Sequence, residues 1–206
     1  MITFRIIERL QNRCTGFEYG DMNINSVFFA DDGIVLEESV EEARKSIKIL
    51  REISKDYGLE INLNKSRVLI FNSKQEYNEI EGISVEKELK YLGVKIENKR
   101  DMFDGYKKEV MVKGKRLEYM TYGIIEKSCN RLMIGKCFWK TTALPSILHG
   151  SDVIDFNEKD INQLQVMENS VYRKILKAPS YTPIDVLRAE IGSSTMKTRI
   201  IKGRIF

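Results

Sequence analysis

Two short apolar runs separated by a pair of adjacent acids constrain this chain more than any other feature. Asn23-Ile24-Asn25-Ser26-Val27-Phe28-Phe29 and Gly33-Ile34-Val35-Leu36 read as strands, and they flank Ala30-Asp31-Asp32, a tight-turn composition followed by glycine. The pattern predicts a β-hairpin with two carboxylates at its tip. Adjacent negative charges repel unless a cation or solvent relieves them, so the tip is either a metal-facing pair or an ordinary surface turn.

The rest of the chain places that hairpin in an α+β setting. Residues 2–13 carry Ile6, Ile7 and Leu10 at helical spacing. Ser39 with Glu42 forms a capping-box signature ahead of Val40, Ala43, Ile47, Leu50, Ile53 and Tyr57, and Gly58 supplies a stop. Residues 67–71 and 91–96 read as strands. Ile24, Val27, Phe29, Ile34, Leu36, Leu50, Ile53, Leu69, Phe71, Leu92, Val94 and Ile96 are the expected core of this part. From about residue 104 strand-like runs disappear, and helices are expected over 104–140, 157–177 and 182–206, with Leu164, Met167, Val171 and Ile175 as one stripe. The polar stretch 97–103 predicts a division into domains 1–98 and 99–206.

Composition removes several kinds of chemistry. A single histidine, His149, makes any Ser-His or Cys-His mechanism depend on one ring, and Cys14, Cys129 and Cys137 show no metal-binding spacing. Reduced, mostly buried thiols are expected. The glycine-rich nucleotide signatures do not occur. No apolar run reaches the roughly 18 residues of a membrane span, and the first residues lack a secretory signal, so an intracellular location, nucleus or cytoplasm, is expected. Charge is uneven: −4 over residues 1–98, +6 over 99–140, −4 over 141–171 and +6 over 172–206. That layout suits metal in one place and a polyanion in another, and equally suits solvated helix faces.

Phe29-Ala30-Asp31-Asp32 between two strands resembles the metal-binding hairpin of reverse transcriptases, whose hallmark is aromatic, any residue, Asp, Asp. Further landmarks follow in order. The capped helix and Tyr57-Gly58-Leu59-Glu60-Ile61-Asn62-Leu63-Asn64-Lys65-Ser66-Arg67-Val68 resemble the helix, Gly, Asn and Lys-Ser pattern of non-LTR (LINE-type) retrotransposon enzymes. Lys90-Tyr91-Leu92-Gly93-Val94 is similar to their Tyr-Leu-Gly primer-grip strand. Leu144-Pro145-Ser146-Ile147-Leu148-His149-Gly150 occupies the place of their Pro-x-x-x-Tyr-Gly segment, with His149 where an aromatic residue is commoner. Val186-Leu187-Arg188-Ala189-Glu190-Ile191-Gly192 resembles their Leu-Arg-x-Glu-x-Gly segment.

The resemblance implies the C-terminal part of a polymerase palm, built from antiparallel hairpins with a packed helix, followed by an all-α thumb and connection region. It implies two-metal nucleotidyl transfer with Mg²⁺, or Mn²⁺ as substitute, an RNA template, a DNA primer and dNTP. Asp31 would be a direct ligand and Asp32 a weaker one. Lys65 would be a general acid toward pyrophosphate, or merely a solvent-facing lysine. Tyr91, Leu92 and Gly93 would form the primer grip, or a strand with a core tyrosine. Lys107, Lys108, Lys113, Lys115 and Arg116, interleaved with Tyr106, Tyr119 and Tyr122, would track a phosphate backbone, or lie on a solvated helix. The family's third carboxylate and its fingers are expected upstream, in a missing N-terminal half, and Asp21, Glu37 and Glu38 have nothing to place them opposite Asp31. The chain is therefore expected to be inactive alone. The alternative reading is a non-catalytic nucleic-acid-binding module derived from such an enzyme.

Overall fold

Helices α1 (Ile2–Arg13) and α2 (Val40–Asp56) lie together at the centre of the first half, in a computed structural model that describes residues 2–205. Their apolar stripes meet through Ile6, Leu10 and Ile53, with Phe28, Ile49, Leu50 and Tyr57 packed around them. Leu10 and Ile53 are wholly buried, and such side chains each contribute about 1.5–3 kcal/mol. Ser39 accepts a hydrogen bond from the Glu42 amide (3.2 Å), capping α2 as the sequence predicts. Exposed pairs Arg9–Asp56 (2.7 Å) and Arg13–Glu52 (2.9 Å) lie along the seam between the helices and add little.

Four hairpins complete this unit, each closed by a two-residue loop. They are β1 (Phe17–Tyr19) with β2 (Met22–Ile24), β3 (Ser26–Phe29) with β4 (Asp32–Val35), β6 (Glu79–Ile80) with β7 (Ile83–Glu86), and β8 (Glu88–Tyr91) with β9 (Val94–Glu97). β5 (Val68–Leu69) adds to β7 in parallel. Arg44 and Lys48 of α2 reach Glu81 at 3.6 and 3.5 Å, and Arg51 donates to the Glu81 carbonyl, tying the β6–β7 turn to the helix.

The class is mixed α+β, as expected, but the hairpins do not join into one sheet. Several expected core residues are consequently uncovered: Val27, Phe29, Leu36, Phe71 and Leu92 are exposed. Alternation explains the first two, since Phe28 turns toward the helices and its neighbours turn away. The run at 67–71 is a strand only over Val68–Leu69. The run at 91–96 is not one strand, because Leu92 (φ 46°) and Gly93 (φ 85°) reverse the chain in its middle. Likewise Asn25 interrupts the 23–29 run, and Asp32 belongs to a strand instead of the turn.

The chain divides into two compact units, Met1–Met102 and Phe103–Phe206. The second contains α3 (Asp104–Glu126), α4 (Arg131–Phe138), a π-helical turn (Trp139–Ala143), α5 (Leu144–Leu148), α6 (Glu158–Leu176), α7 (Ile184–Ile191) and α8 (Met196–Ile205). The expected helix 104–140 is broken at 127–130, where Asn130 caps α4 by accepting from the Met133 amide (3.0 Å). The expected helix 182–206 is broken at Gly192, whose left-handed φ of 65° ends α7. α3 and α6 pack along each other, and the predicted stripe Leu164, Met167, Val171 and Ile175 is buried.

A charged network sits inside this apolar body. The Glu168 carboxylate, wholly buried, accepts from Arg199 Nη1 (2.6 Å), Tyr172 Oη (2.5 Å), Trp139 Nε1 (3.3 Å) and Gln165 Nε2 (3.2 Å). Four donors around one charge compensate its desolvation. Of the cysteines, Cys129 and Cys137 are exposed and Cys14 half-buried, against the expectation of mostly buried thiols. No described helix is long and apolar enough to cross a membrane.

Candidate active site

The β3–β4 turn presents the acid pair. Phe29 pairs with Asp32 and Phe28 with Gly33, leaving Ala30 and Asp31 as the loop. Ala30 takes φ 56°, the left-handed region that costs a residue with a Cβ about 1–3 kcal/mol. A Cβ on Gly33 would collide with the Phe28 ring, so glycine is required where that ring crosses the hairpin toward α1 and α2. By strand alternation Asp32 shares the outward face with Val27, Phe29 and Ile34, while Asp31 occupies the tip. Both acids are exposed, and among the described residues neither side chain has a hydrogen-bond or ion-pair partner.

Tyr91, at the end of β8, feels the Asp32 charge. Its pKa is raised, first by burial and then by Asp32, and among the described residues its buried hydroxyl has no hydrogen-bond partner. The expected primer-grip residues therefore form a tight turn, Tyr91 pairing with Val94 across Leu92 and Gly93. Lys65 lies exposed in a turn held by Asn62, whose carbonyl and side-chain oxygens both accept from the Lys65 amide at 3.1 Å. No hydrogen bond or ion pair among the described residues joins it to the acids.

The nearby carboxylates serve the backbone. Glu37 accepts from the Gly16 amide (3.1 Å) and from Ser46, and Glu38 from the Glu18 amide (3.3 Å). Asp31 and Asp32 offer the hard oxygen donors that Mg²⁺ and Mn²⁺ take, but a two-metal centre needs more of them. Among the described residues no group of three or more His, Cys, Asp or Glu side chains could hold a metal ion. The donor type fits and the donor number does not.

Residues 2–96 match the family reverse transcriptase (RNA-dependent DNA polymerase). The matched segment contains the acid pair, Lys65 and the Tyr91–Val94 turn, and it ends within β9. Members of that family generally use divalent metal ions and act on template, primer and nucleotides. No solved structure matches the chain.

Beyond the matched segment, the five basic residues singled out on α3 are largely engaged. Lys108 pairs with Asp104 (2.6 Å), Lys113 donates to the Ser146 carbonyl (3.0 Å), and Lys115 pairs with the buried Glu118 (3.0 Å). Burial pushes Glu118 up, but hydrogen bonds from Tyr122, Lys115 and Ser170 outweigh it, so its carboxyl is held below its ordinary range. Arg116 is exposed and makes no ion pair among the described residues. Of the interleaved aromatics, Tyr106 is buried and donates to the His149 carbonyl (3.0 Å), Tyr122 is half-buried, and Tyr119 alone is exposed. A different basic group escapes a reading by periodicity: Arg131 from α4 meets Arg173, Lys174 and Lys177 from the end of α6 around one open cleft. The i, i+1, i+4 spacing of the last three was a visible signal, but Arg131 is 42 residues earlier in the chain.

Proposed function

We propose that this chain supplies the later part of the palm, residues 1–98, and the helical thumb, residues 99–206, of a non-LTR (LINE-type) RNA-directed DNA polymerase. The carrying observation is the exposed, unpartnered Asp31–Asp32 pair at a hairpin tip inside the segment that matches the reverse transcriptase family. In a complete centre Asp31 would be the direct Mg²⁺ ligand and Asp32 a weaker one, with Mn²⁺ as substitute. Lys65 is the candidate proton donor to pyrophosphate, the Tyr91-Leu92-Gly93 turn holds the primer end, and Lys107, Lys108, Lys113, Lys115 and Arg116 face the nucleic acid. Because the described residues hold too few metal ligands, the remaining carboxylate would come from the N-terminal palm and fingers half of the same enzyme, and no primer extension is expected from this chain alone.

The shortage of ligands equally favours a second reading, a non-catalytic nucleic-acid-binding module derived from such an enzyme. Primer extension on an RNA template, run beside Asp31→Asn and a Mn²⁺ titration, separates the two. The polymerase reading expects no extension by the chain alone and weaker Mn²⁺ binding by the variant. Equal Mn²⁺ binding by parent and variant leaves the binding module. Extension that disappears in Asp31→Asn would overturn the incomplete centre.

A further inference from the structure

We propose that the open cleft between α4 and the end of α6, about 490 Å³ in volume, is a binding site for the phosphodiester backbone of a nucleic-acid strand, read without regard to base. It is lined by Arg131, Arg173, Lys174 and Lys177, with Tyr122 and Ser170 beneath. The proposal rests on the nucleic-acid reading above and assigns the contact to residues which that reading does not use.

The two guanidinium groups are held in place before any ligand arrives. Arg131 Nη2 donates to the Lys174 carbonyl (2.9 Å), and Arg173 Nη1 donates to the carbonyls of Pro179 and Thr182 (both 2.9 Å). Each bond uses one nitrogen of a group with five donors, and a fixed fork loses little freedom on meeting phosphate oxygens. Arg131 stands in the first turn of α4, where a cation is disfavoured, and its bond to the Lys174 carbonyl serves the end of α6 instead; among the described residues its Nε is buried without a hydrogen-bond partner. Arg173 and Lys174 sit in the last turn of α6, where cations are favoured.

The charge balance points the same way. Lys174 pairs with Glu126 (2.9 Å), while the Lys177 ammonium has no hydrogen-bond or ion-pair partner among the described residues. Lys177 holds a left-handed backbone (φ 52°) at the end of α6. Four cations facing one carboxylate exceed what a single small anion needs, and they suit charges repeated along a strand. Base stacking is not offered, because Lys174 already covers the Tyr122 ring at 5.6 Å and the Tyr122 hydroxyl is bound to Glu118 and Ser170.

The test is fluorescence anisotropy with labelled single-stranded DNA and RNA oligonucleotides, homopolymeric and mixed, over a salt series, using the whole chain. Lys174→Gln with Lys177→Gln should weaken every oligonucleotide alike and lower the slope of log K against log salt by about 1.4, or 0.7 for each lost contact. Arg131→Gln, checked for folding by Trp139 fluorescence, should weaken binding further. Lys159→Gln, at the opposite end of α6, should match the parent. Parent-like affinity and slope in the double variant would overturn the cleft assignment and leave the polymerase reading standing. No oligonucleotide binding by the parent would overturn both. Inorganic pyrophosphate binding that is lost in the double variant, with no oligonucleotide binding, would make the cleft a small-anion site instead.

Discussion

Replacing Glu168 by glutamine tests whether the second unit depends on its buried charge. The substitution keeps the volume and removes the negative charge, leaving Arg199, whose side chain is only 15% exposed, without its counter-ion. Tyr172, Trp139 and Gln165 keep one neutral oxygen among them in place of a carboxylate. Removing one member of a buried pair costs about 3–5 kcal/mol, and the amide recovers part of one hydrogen bond, so about 3 kcal/mol is expected. That is a large share of the roughly 5–15 kcal/mol that holds a domain together. Trp139 is the only tryptophan and lies in this network, so its fluorescence reports the unit directly. With a urea slope of about 1.5 kcal/mol/M the midpoint should fall by about 2 M. Adding Arg199→Leu to Glu168→Leu should leave less damage than Glu168→Leu alone, because no unpaired charge remains. A midpoint within about 0.5 M of the parent, at unchanged slope, would refute the reasoning and mean that Arg199 finds water easily.

Other consequences can be measured on the same protein. Burial first, then Glu168 and Glu118 respectively, push Tyr172 and Tyr122 up to about 12, so the fold favours the protonated phenols. Their contribution is complete below about pH 10 and is lost as pH rises from 10 through 12; the alkaline fall in the Trp139 unfolding midpoint should therefore shrink in Tyr172→Phe. Gly123→Ala enters open space on α3 and should stabilise by about 0.8–1.0 kcal/mol, whereas in Gly135→Ala the new methyl meets Ile125 at 2.7 Å and Ile175 at 2.8 Å and should destabilise by about 1 kcal/mol in urea titration. Ala30→Gly should relieve the left-handed turn and raise the thermal midpoint of the first unit, followed by far-UV circular dichroism, by the equivalent of about 1 kcal/mol. An unchanged or lower midpoint would show that the turn is unstrained.

The elements that repeat a local rule were legible in the sequence. Ser39 before an apolar stripe gives α2, and the spacing of Leu164, Met167, Val171 and Ile175 gives the buried face of α6, because periodicity reports which residues share a side. It does not report what lies opposite. Val27 and Phe29 alternate as core strand residues do, yet they face outward, since only Phe28 meets the helices. Leu92 reads as strand and adopts φ 46°, a conformation its side chain does not advertise. In the candidate site the adjacency of Asp31 and Asp32 was visible from composition alone. Glu37 and Glu38 are committed to the amides of Gly16 and Glu18, and Arg131 meets Arg173, only through the fold, which brings together residues 20 or more positions apart.

The two-residue loops have a kinetic meaning. All but one of the strand pairings in the first unit join neighbours along the chain, and such pairs close in about 1–10 μs, before any distant contact is needed. A lone hairpin is only marginally stable, so persistence depends on α1 and α2 arriving afterwards. The spacing between the two acids is thus set early, by the four residues from Phe29 to Asp32. It is a property the segment carries with it, independent of contacts made later by the rest of the chain.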